Sequence, residues 1–264
     1  MDYRLTGRVA LVNAASRGLG RGIAEALAAE GTRLVISSRN EEAIDAAARE
    51  IAAAHGTEVI PVVADVATAG AAGHAVGTAI EHFGGLDILV NNSGGPPGGR
   101  FADFGDADWQ RAFDLLLLSV VRMVRAAVPH LRASGRGRVI NVASSAVKEP
   151  IPGLILSNSL RAGVAGLAKT LADELAPDQV TVHNVLPGRI LTDRLRGPFV
   201  EQARRAGIPV DELARAEVAG EVPLGRVGEP SDLANLVAFL CSDAAAYLTG
   251  LTLTVDGGRM RAIF

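Results

Sequence analysis

Cysteine and aromatic residues are scarce in this chain of 264 residues. A single cysteine, Cys241, excludes an internal disulfide, and no cysteine and histidine pattern has zinc spacing. Aromatic residues make up 4% of the chain, which argues against a carbohydrate-stacking surface. No uninterrupted apolar run reaches the roughly 20 residues of a membrane span, and the opening Met-Asp-Tyr-Arg-Leu lacks an apolar signal core. We therefore expect a cytoplasmic protein with no membrane partner and no metal.

Charge of one sign is not in excess either. The chain carries 26 Lys and Arg against 29 Asp and Glu, a net charge of −3, so electrostatics favours no nucleic-acid partner. Hydrophobic residues at 48% and charged residues at 21% are typical of a globular protein, and the length suits a large α/β domain. The 30 glycines indicate close backbone approaches.

Short apolar runs alternate with alanine-rich amphipathic stretches along the chain. Strands separated by helices need crossover connections, which predicts one doubly wound, Rossmann-type α/β domain over residues 1–264, a parallel sheet with helices on both faces. The predicted strands are 8–13, 33–37, 58–63, 87–91, 138–143, 180–186 and 251–255, and the predicted helices are 18–30, 41–54, 71–83, 108–131, 160–175 and 233–240.

A charged segment interrupted by prolines, residues 192–230, follows the sixth predicted strand. A long insertion at the carboxyl end of a strand is typical of a substrate loop or lid, so we predict that role here. A disordered surface segment is the alternative interpretation.

The first predicted strand runs into Asn-Ala-Ala-Ser-Arg-Gly-Leu-Gly, and a predicted helix follows. Glycines in such a turn let the backbone approach a pyrophosphate, and the helix offers its N-terminal N–H groups. Ala14 stands where a glycine would be expected. The predicted cofactor-binding residues of this turn are Asn13, Ser16, Arg17, Gly18, Leu19 and Gly20.

The second predicted strand ends without an acidic residue, which would bind the ribose 2′-hydroxyl of NAD. Ser38 and Arg39 stand there instead, and with Arg17 they offer a hydroxyl and two cations to a 2′-phosphate. This pattern favours NADP(H) over NAD(H). The alternative interpretation is a pair of solvated arginines.

Five motifs in order resemble the short-chain dehydrogenase/reductase family, over essentially the whole chain. The similarity is greatest to members named for acyl-carrier-protein ketoreduction. The motifs are the Gly-rich turn 13–20, Asp65-Val66, Asn91-Asn92-Ser93-Gly94, Pro187-Gly188, and Thr249-Gly250 with Val255-Asp256-Gly257-Gly258.

The resemblance implies roles for residues after the third, fourth and sixth strands. It also implies a homo-oligomer, commonly a tetramer, formed through the long helix, its neighbour and the last strand. Asp65 and Val66 would contact adenine, Asn92 and Gly94 would line the cofactor, and Pro187, Gly188, Ile190 and Thr192 would complete the site, the last two facing the nicotinamide.

The family's catalytic tetrad is asparagine, serine, tyrosine and lysine, and three of the four are replaced here. Alignment places Ser144 at the serine, Ser157 at the tyrosine, Arg161 at the lysine and Leu116 at the asparagine. A serine hydroxyl is a far weaker acid than a phenol of pKa about 10. Arginine can hold a ribose hydroxyl or a carbonyl oxygen, but with a pKa above about 12 it exchanges no proton at neutral pH. Lys148 and Glu149 are alternative proton donors, or a solvated ion pair.

We therefore expect an NADP(H)-dependent oxidoreductase for a small carbonyl or imine substrate, with Ser144, Ser157 and Arg161 as its non-standard catalytic residues. One alternative is a nucleotide-binding sensor or scaffold without ordinary redox turnover. Another is a lyase or isomerase that holds its cofactor structurally.

Overall fold

Seven strands form one parallel sheet in the computed structural model, which describes residues 2–263. All seven predicted strands are present, and the doubly wound α/β fold is confirmed. Their order across the sheet is β3-β2-β1-β4-β5-β6-β7. The strands are β1 Val9–Val12, β2 Arg33–Ser38, β3 Val59–Val63, β4 Ile88–Asn91, β5 Arg138–Val142, β6 Thr181–Pro187 and β7 Thr252–Val255.

Helices cover both faces of the sheet. Helices α1, α2 and α10 pack on one face, and α3, α5 and α6 pack on the other. The helices are α1 Gly18–Ala29, α2 Glu41–His55, α3 Ala71–Phe83, α4 Asp106–Phe113, α5 Ser119–Ser134, α6 Ile155–Leu175, α7 Asp193–Arg196, α8 Val200–Ala206, α9 Val210–Ala219 and α10 Pro230–Cys241.

The central strand β1 is apolar at every position and lacks an alternation of polar and apolar residues. Ala10 and Val12 belong to the core under α1, α2 and α10, whereas Val9 and Leu11 belong to the core under α3, α5 and α6. All four residues are buried. A parallel strand covered by helices on both sides has no solvent face, so every position favours an apolar side chain.

The long helix predicted at 108–131 is present as a continuous helical stretch over residues 106–134, but its α-helical register is interrupted. It is divided into α4, a π-helical turn at Asp114–Leu118, and α5. In this turn the Ser119 N–H donates to the Asp114 carbonyl, five residues back, so one residue bulges from the α-helical register. The helical spacing of apolar residues in the sequence continues through the π-helical turn, so the sequence pattern does not indicate it.

Two predicted helix starts were late. Helix α6 begins at Ile155 rather than at 160, and α10 begins at Pro230 rather than at 233. Proline is favoured in the first turn of a helix because an N–H at that position would have no intrahelical acceptor, so its absence breaks no hydrogen bond. The N–H of Glu229 donates to Asp232, which closes the start of α10.

The segment 192–230 is helical rather than irregular. It contains α7, α8 and α9, and residues of α7 and α9 contribute to a small apolar cluster around Leu191, Ala214, Val218 and Val227. Arg196 of α7 forms an ion pair with Asp211 of α9 at 2.7 Å. The disordered alternative is therefore wrong, and a lid role stays a prediction.

Within residues 2–263, no helix combines the length and apolar character that crossing a bilayer requires. In the same range, no group of three or more acidic, histidine and cysteine side chains is arranged to hold a metal ion. The cytoplasmic location stays a prediction.

Candidate functional site

The strand order reverses between β1 and β4, and the loops after these strands diverge to leave a crevice. Asn13 is buried at the carboxyl end of β1. Its Oδ1 accepts a hydrogen bond from the Ser37 hydroxyl at 2.8 Å, and its Nδ2 donates to the Val90 carbonyl at 3.4 Å. Both polar side-chain atoms of Asn13 are thus used within the protein, where they hold the end of β1 against Ser37 and Val90.

The backbone of this turn is tightly packed. Ala14 has a left-handed conformation with φ of 51°, which is strained for a residue with a Cβ and explains why glycine is expected there. The Asn92 Nδ2 donates to the Ala14 carbonyl at 3.2 Å. A Cβ on Gly20 would overlap that carbonyl oxygen and lie 2.7 Å from the Asn92 Nδ2. Only glycine fits at position 20.

The first turn of α1 is open to an anion. Arg17 precedes the helix, and no side-chain cap hydrogen bond is formed there. The N–H groups of this turn therefore remain available, and a helix of 12 residues presents them together with the positive end of its dipole. The turn fits the pyrophosphate of a dinucleotide. Ser16, Gly18 and Leu19, also predicted from the sequence, are half-buried along it.

Arg17 and Arg39 differ in their surroundings. Arg39 is exposed next to the half-buried Ser38, without an ion pair in residues 2–263. Arg17 is also exposed, but its Nη1 contacts a carboxylate oxygen of Asp193 on α7 at 3.0 Å. The predicted 2′-phosphate cation Arg17 thus already contacts the segment 192–230.

The other predicted cofactor residues lie at or after the carboxyl ends of β3, β4 and β6. Gly18 faces Thr192, whose methyl carbon would be 3.7 Å from a Cβ on the glycine. The Asp65 carboxylate accepts a hydrogen bond from the Ala67 N–H at 3.0 Å. The Gly188 N–H donates to the Val255 carbonyl at 2.9 Å. Of the remaining predicted residues, Val66 and Ile190 are buried, Pro187 is half-buried and Gly94 is exposed.

Arg161 is buried on α6 and reaches toward β5. Its Nη1 donates to the Val142 carbonyl at 3.0 Å, at the end of that strand. Burial and the nearby positive charge of Arg194 lower the pKa of Arg161 to about 10. The guanidinium therefore keeps its charge at neutral pH.

The two candidate serines lie on different elements, and neither lines the pocket that contains Arg161. Ser157 is buried one helical turn before Arg161 on α6. Ser144 lies two residues beyond the Val142 carbonyl that Arg161 contacts, and its Oγ accepts from the Ala146 N–H at 3.2 Å. The Ser144 hydroxyl hydrogen remains available to donate. Arg161 thus contacts the last residue of β5, and Ser144 lies two residues after that contact.

A pocket lies between the crevice and α6. Leu116, at the position of the family's asparagine, is buried in the π-helical turn and lines this pocket together with Arg161. No aspartate or glutamate contributes to the lining within residues 2–263. The lining residues are Asn13, Val66, Asn91, Asn92, Ser93, Leu116, Ser119, Val120, Met123, Asn141, Val142, Arg161 and Val164.

A row of buried amides crosses the sheet and was missed by sequence reasoning. Asn91 of β4 donates to Asn141 of β5 at 2.9 Å, Asn141 donates to Asn184 of β6 at 3.1 Å, and Asn184 donates to Thr252 of β7 at 3.1 Å. Each pair is in register. The only sequence signal was a polar residue inside each apolar strand. The row links β4, β5, β6 and β7 through their side chains, and two of its members, Asn91 and Asn141, also line the pocket.

Arg194 was also missed. It lies on α7, and its Nη2 is 3.4 Å from the Pro96 carbonyl oxygen, while its guanidinium covers Gly95 so closely that a Cβ there would overlap it. Of the predicted alternative proton donors, Lys148 is half-buried, and exposed Glu149 accepts from the Arg261 N–H at 3.4 Å.

This fold and the open helix terminus at the strand switch define a dinucleotide-binding α/β protein. The sequence profile of the family described as Enoyl-(Acyl carrier protein) reductase matches residues 13–259. A relative from Synechocystis named 3-oxoacyl-[acyl-carrier-protein] reductase is 38% identical over 256 residues, covering 96% of this chain and 97% of the relative. The chain belongs to the short-chain dehydrogenase/reductase family.

Solved structures agree with that family. L-sorbose reductase from Gluconobacter frateurii, complexed with NADPH and L-sorbose, superimposes with a TM-score of 0.94 at 33% identity, and each chain is fully covered. A 7α-hydroxysteroid dehydrogenase complexed with NADH and 7-oxo glycochenodeoxycholic acid superimposes with a TM-score of 0.88 at 28% identity, covering 100% of this chain and 98% of the other. Both cofactor types thus occur among similar structures.

Proposed function

We propose that this protein is an NADP(H)-dependent oxidoreductase that acts on a small carbonyl or imine substrate through a modified catalytic centre. The observation that carries the proposal is the position of Arg161. It is charged and lines the pocket beside the dinucleotide crevice, at the position of the family's catalytic lysine. A cation there can bind a ribose hydroxyl or a developing oxyanion.

NADP(H) is the favoured cofactor. No acidic residue ends β2, and Arg39 is exposed without a carboxylate partner in residues 2–263. A charge-assisted contact to a 2′-phosphate would use this arginine together with Ser38. The NADPH complex of L-sorbose reductase supports the proposal, whereas the steroid dehydrogenase complex contains NADH.

The bound nicotinamide would supply the hydride or accept it. Arg161 would orient the carbonyl oxygen or the ribose, because its Nη1 is already held by the Val142 carbonyl and its other nitrogens remain for a ligand. Ser144 and Ser157 would donate hydrogen bonds to the substrate. Without a phenol, the proton would come from water, Lys148, Glu149 or the substrate itself.

A nucleotide-binding protein without ordinary redox turnover is the second candidate. Neither of the two tyrosines of the chain lines the pocket: Tyr3 packs edge-on against Phe239, and Tyr247 is fully exposed. No tyrosine can therefore replace the missing catalytic phenol. This observation favours the loss of acid–base turnover with retention of the nucleotide.

Cofactor titration followed by turnover separates the two candidates. NADPH binding would be followed by fluorescence, and NADPH consumption would then be measured against ketones, aldehydes and imines. Consumption that falls in Ser144→Ala and Arg161→Ala supports the oxidoreductase. Binding without consumption of any substrate supports the second candidate.

Alcohol oxidation tests the modified centre separately. Oxidation needs a base for the hydroxyl proton, so we expect very slow oxidation of a simple secondary alcohol with NADP⁺ at pH 7. Rapid oxidation that Ser144→Ala and Arg161→Ala leave unchanged would overturn these catalytic assignments.

We also propose a homo-oligomer, as a tetramer, with 192–230 as its substrate lid. All four residues of the edge strand β7 are half-buried, and Tyr247 before it and Ile263 after it in the chain are exposed apolar side chains. Apolar groups at a free edge favour a subunit contact. The predicted contact also includes Phe264, which lies outside the described residues. Deletion of residues 259–264 should lower the oligomer mass in sedimentation, and a monomeric parent protein would contradict the proposal.

A further inference from the structure

We propose that the pocket beside the crevice holds one ordered water molecule between Arg161 and the Oδ1 atom of Asn91, and that Asn91 positions Arg161 through this water. The water site follows from the hydrogen-bonding groups of the pocket, and its effect on turnover rests on the proposed oxidoreductase function. Asn91 would be a positioning residue, because it would act on the reacting groups only through the water and Arg161.

The row of buried amides runs in one direction. The Nδ2 atom of Asn91 donates to Asn141 at 2.9 Å, Asn141 donates to Asn184 at 3.1 Å, and Asn184 donates to the Thr252 hydroxyl at 3.1 Å. Every amide donates toward β7, so the oxygen at the start of the row, Asn91 Oδ1, receives no hydrogen bond from within it. Asn91 is 4% exposed, and its Oδ1 accepts from no donor in residues 2–263. A buried acceptor in this state is costly, which indicates a donor from outside the row.

Arg161 brings unused donors to the same pocket. Its side chain is buried, and its Nη1 donates to the Val142 carbonyl at 3.0 Å. Among the described residues, its Nε and Nη2 atoms have no acceptor. Asn91 and Arg161 both line the pocket, yet no hydrogen bond joins them directly. A molecule that accepts from Arg161 and donates to Asn91 would satisfy both side chains.

The charge of Arg161 supports this direction of the row. The three hydrogen bonds could also form with every amide rotated and the Thr252 hydroxyl donating to Asn184, which would exchange the Oδ1 and Nδ2 atoms of Asn91. The pocket would then hold an arginine and a second donor, with no aspartate or glutamate lining it in the part of the chain that the structure describes. A positive charge favours a carbonyl oxygen as its neighbour over an N–H group. An acceptor at Asn91 is therefore the more stable arrangement.

The size and the lining of the pocket select water. The pocket offers about 20 Å³ to the centre of a water molecule, and about 10–15 Å³ is enough for one. Leu116 contributes an apolar side chain to the lining. Ser119 also lines the pocket, and because its hydroxyl donates to the Leu115 carbonyl at 2.6 Å, its oxygen is left to accept. A water would accept from Arg161 and donate to Asn91 and Ser119, which gives the roughly three hydrogen bonds that are typical of a buried water.

The water would hold the guanidinium of Arg161 at a second point. The Val142 carbonyl fixes Nη1, and the water would fix one of the two remaining nitrogens, which leaves the other for a ribose hydroxyl or a carbonyl oxygen. A side chain that is already held in place loses less conformational freedom when its ligand binds. Loss of the Asn91 oxygen should therefore slow turnover more than it weakens the binding of NADPH, whose phosphates would contact the turn before α1.

A crystal structure of the NADP⁺ complex tests the water site without turnover. We expect one water within about 2.6–3.2 Å of both an Arg161 nitrogen and Asn91 Oδ1. Asn91→Leu keeps a similar size without an acceptor, so it should lose this water, and Arg161 should adopt more than one conformation. Asn91→Asp keeps an acceptor and should keep the water. The matched control is Asn184→Leu, which removes an amide of the same row at a position that does not line the pocket, and it should keep both the water and the single conformation of Arg161.

NADPH-dependent reduction of a ketone measures the positioning of Arg161. We expect kcat to fall about 10-fold in Asn91→Leu, while the Kd for NADPH changes less than about threefold. Asn91→Asp should recover part of the loss, and Asn184→Leu should leave kcat unchanged. Three results would each overturn the proposal: no water at this position in the parent, a direct hydrogen bond between Arg161 and Asn91, or equal losses of kcat in Asn91→Leu and Asn184→Leu.

The water site and the oxidoreductase function can fail separately. If the parent holds the water but reduces no carbonyl or imine, the oxidoreductase is contradicted and the water site stands. The conformations of Arg161 in Asn91→Leu then decide whether Asn91 positions it, and a single unchanged conformation would contradict that role. If the parent reduces a ketone without the water, the water site is contradicted and the oxidoreductase stands.

Discussion

The carbonyl oxygen of Ala14 occupies the space that a Cβ atom on Gly20 would need. The same oxygen accepts a hydrogen bond from Asn92 at 3.2 Å, so it cannot move aside without losing that contact. The close approach of the two backbones holds the turn after β1 against the start of α1. The shape of the predicted nucleotide crevice therefore depends on the absence of a side chain at Gly20.

Gly20→Ala should damage the crevice, because the new methyl group would push the Ala14 peptide and Asn92 apart. We expect NADPH affinity to fall at least about tenfold and the free energy of unfolding to fall by about 1–3 kcal/mol. Fluorescence titration and urea unfolding measure the two effects. Gly77→Ala is the control, since a Cβ there meets no atom within 4 Å in α3, and it should be neutral or slightly stabilising. Equal effects of the two variants would contradict this account.

Ala14→Gly should stabilise the protein. The alanine is held at φ of 51°, a conformation that costs a residue with a Cβ about 1–2 kcal/mol, and the gain is partly offset by the entropy of glycine in the unfolded chain. We expect a net gain of about 0.5–1 kcal/mol in urea unfolding. Ala26→Gly inside α1 should instead lose about 0.5–1 kcal/mol. A loss of stability in Ala14→Gly would show that the turn is not strained.

Arg39→Ala should discriminate between the two cofactors. A charge-assisted contact to the 2′-phosphate would be lost, so binding of NADPH should weaken by about 1–3 kcal/mol while binding of NADH changes little. Arg49→Ala, an exposed arginine of α2, serves as the control. An equal loss for NADPH and NADH, or tighter binding of NADH by the parent protein, would refute the cofactor assignment.

His183 should make stability depend on pH. Burial in β6 lowers the pKa of His183 to about 4, from the 6.5 of the unfolded chain. At pH values between about 4 and 6.5, His183 is protonated in the unfolded chain but neutral in the folded protein. The free energy of unfolding should therefore fall as the pH drops from about 6.5 toward 4, by up to about 3 kcal/mol.

Urea unfolding of His183→Leu against the parent, at pH values from 4 to 8, measures that contribution. The variant should lack this component, so the difference between the two proteins should change below pH 6.5 and stay constant above it. His74→Gln, at an exposed position of α3, should follow the parent profile. A constant difference over the whole range would contradict the assignment to His183.

The alternation of strands and helices could be predicted from the sequence because both are local patterns. The apolar runs around Val9–Val12 and Val59–Val63 mark strands, and the glycine-rich turn before Gly18 marks the nucleotide end. Crossover connections then dictate a parallel, doubly wound sheet, which the structure confirms. The π-helical turn at Asp114–Leu118 escaped prediction, since one bulged residue leaves the apolar period intact.

Contacts between distant elements were decided only by the tertiary structure. The row from Asn91 to Thr252 forms because four neighbouring strands align in register, and no single strand encodes that alignment. Arg194 reaches the Pro96 carbonyl because α7 is placed over the loop after β4. Motifs identify which residues stand at the strand ends. Whether a charged side chain at a strand end has a partner depends on side chains from elements that are distant in the sequence. Local sequence patterns do not specify those contacts.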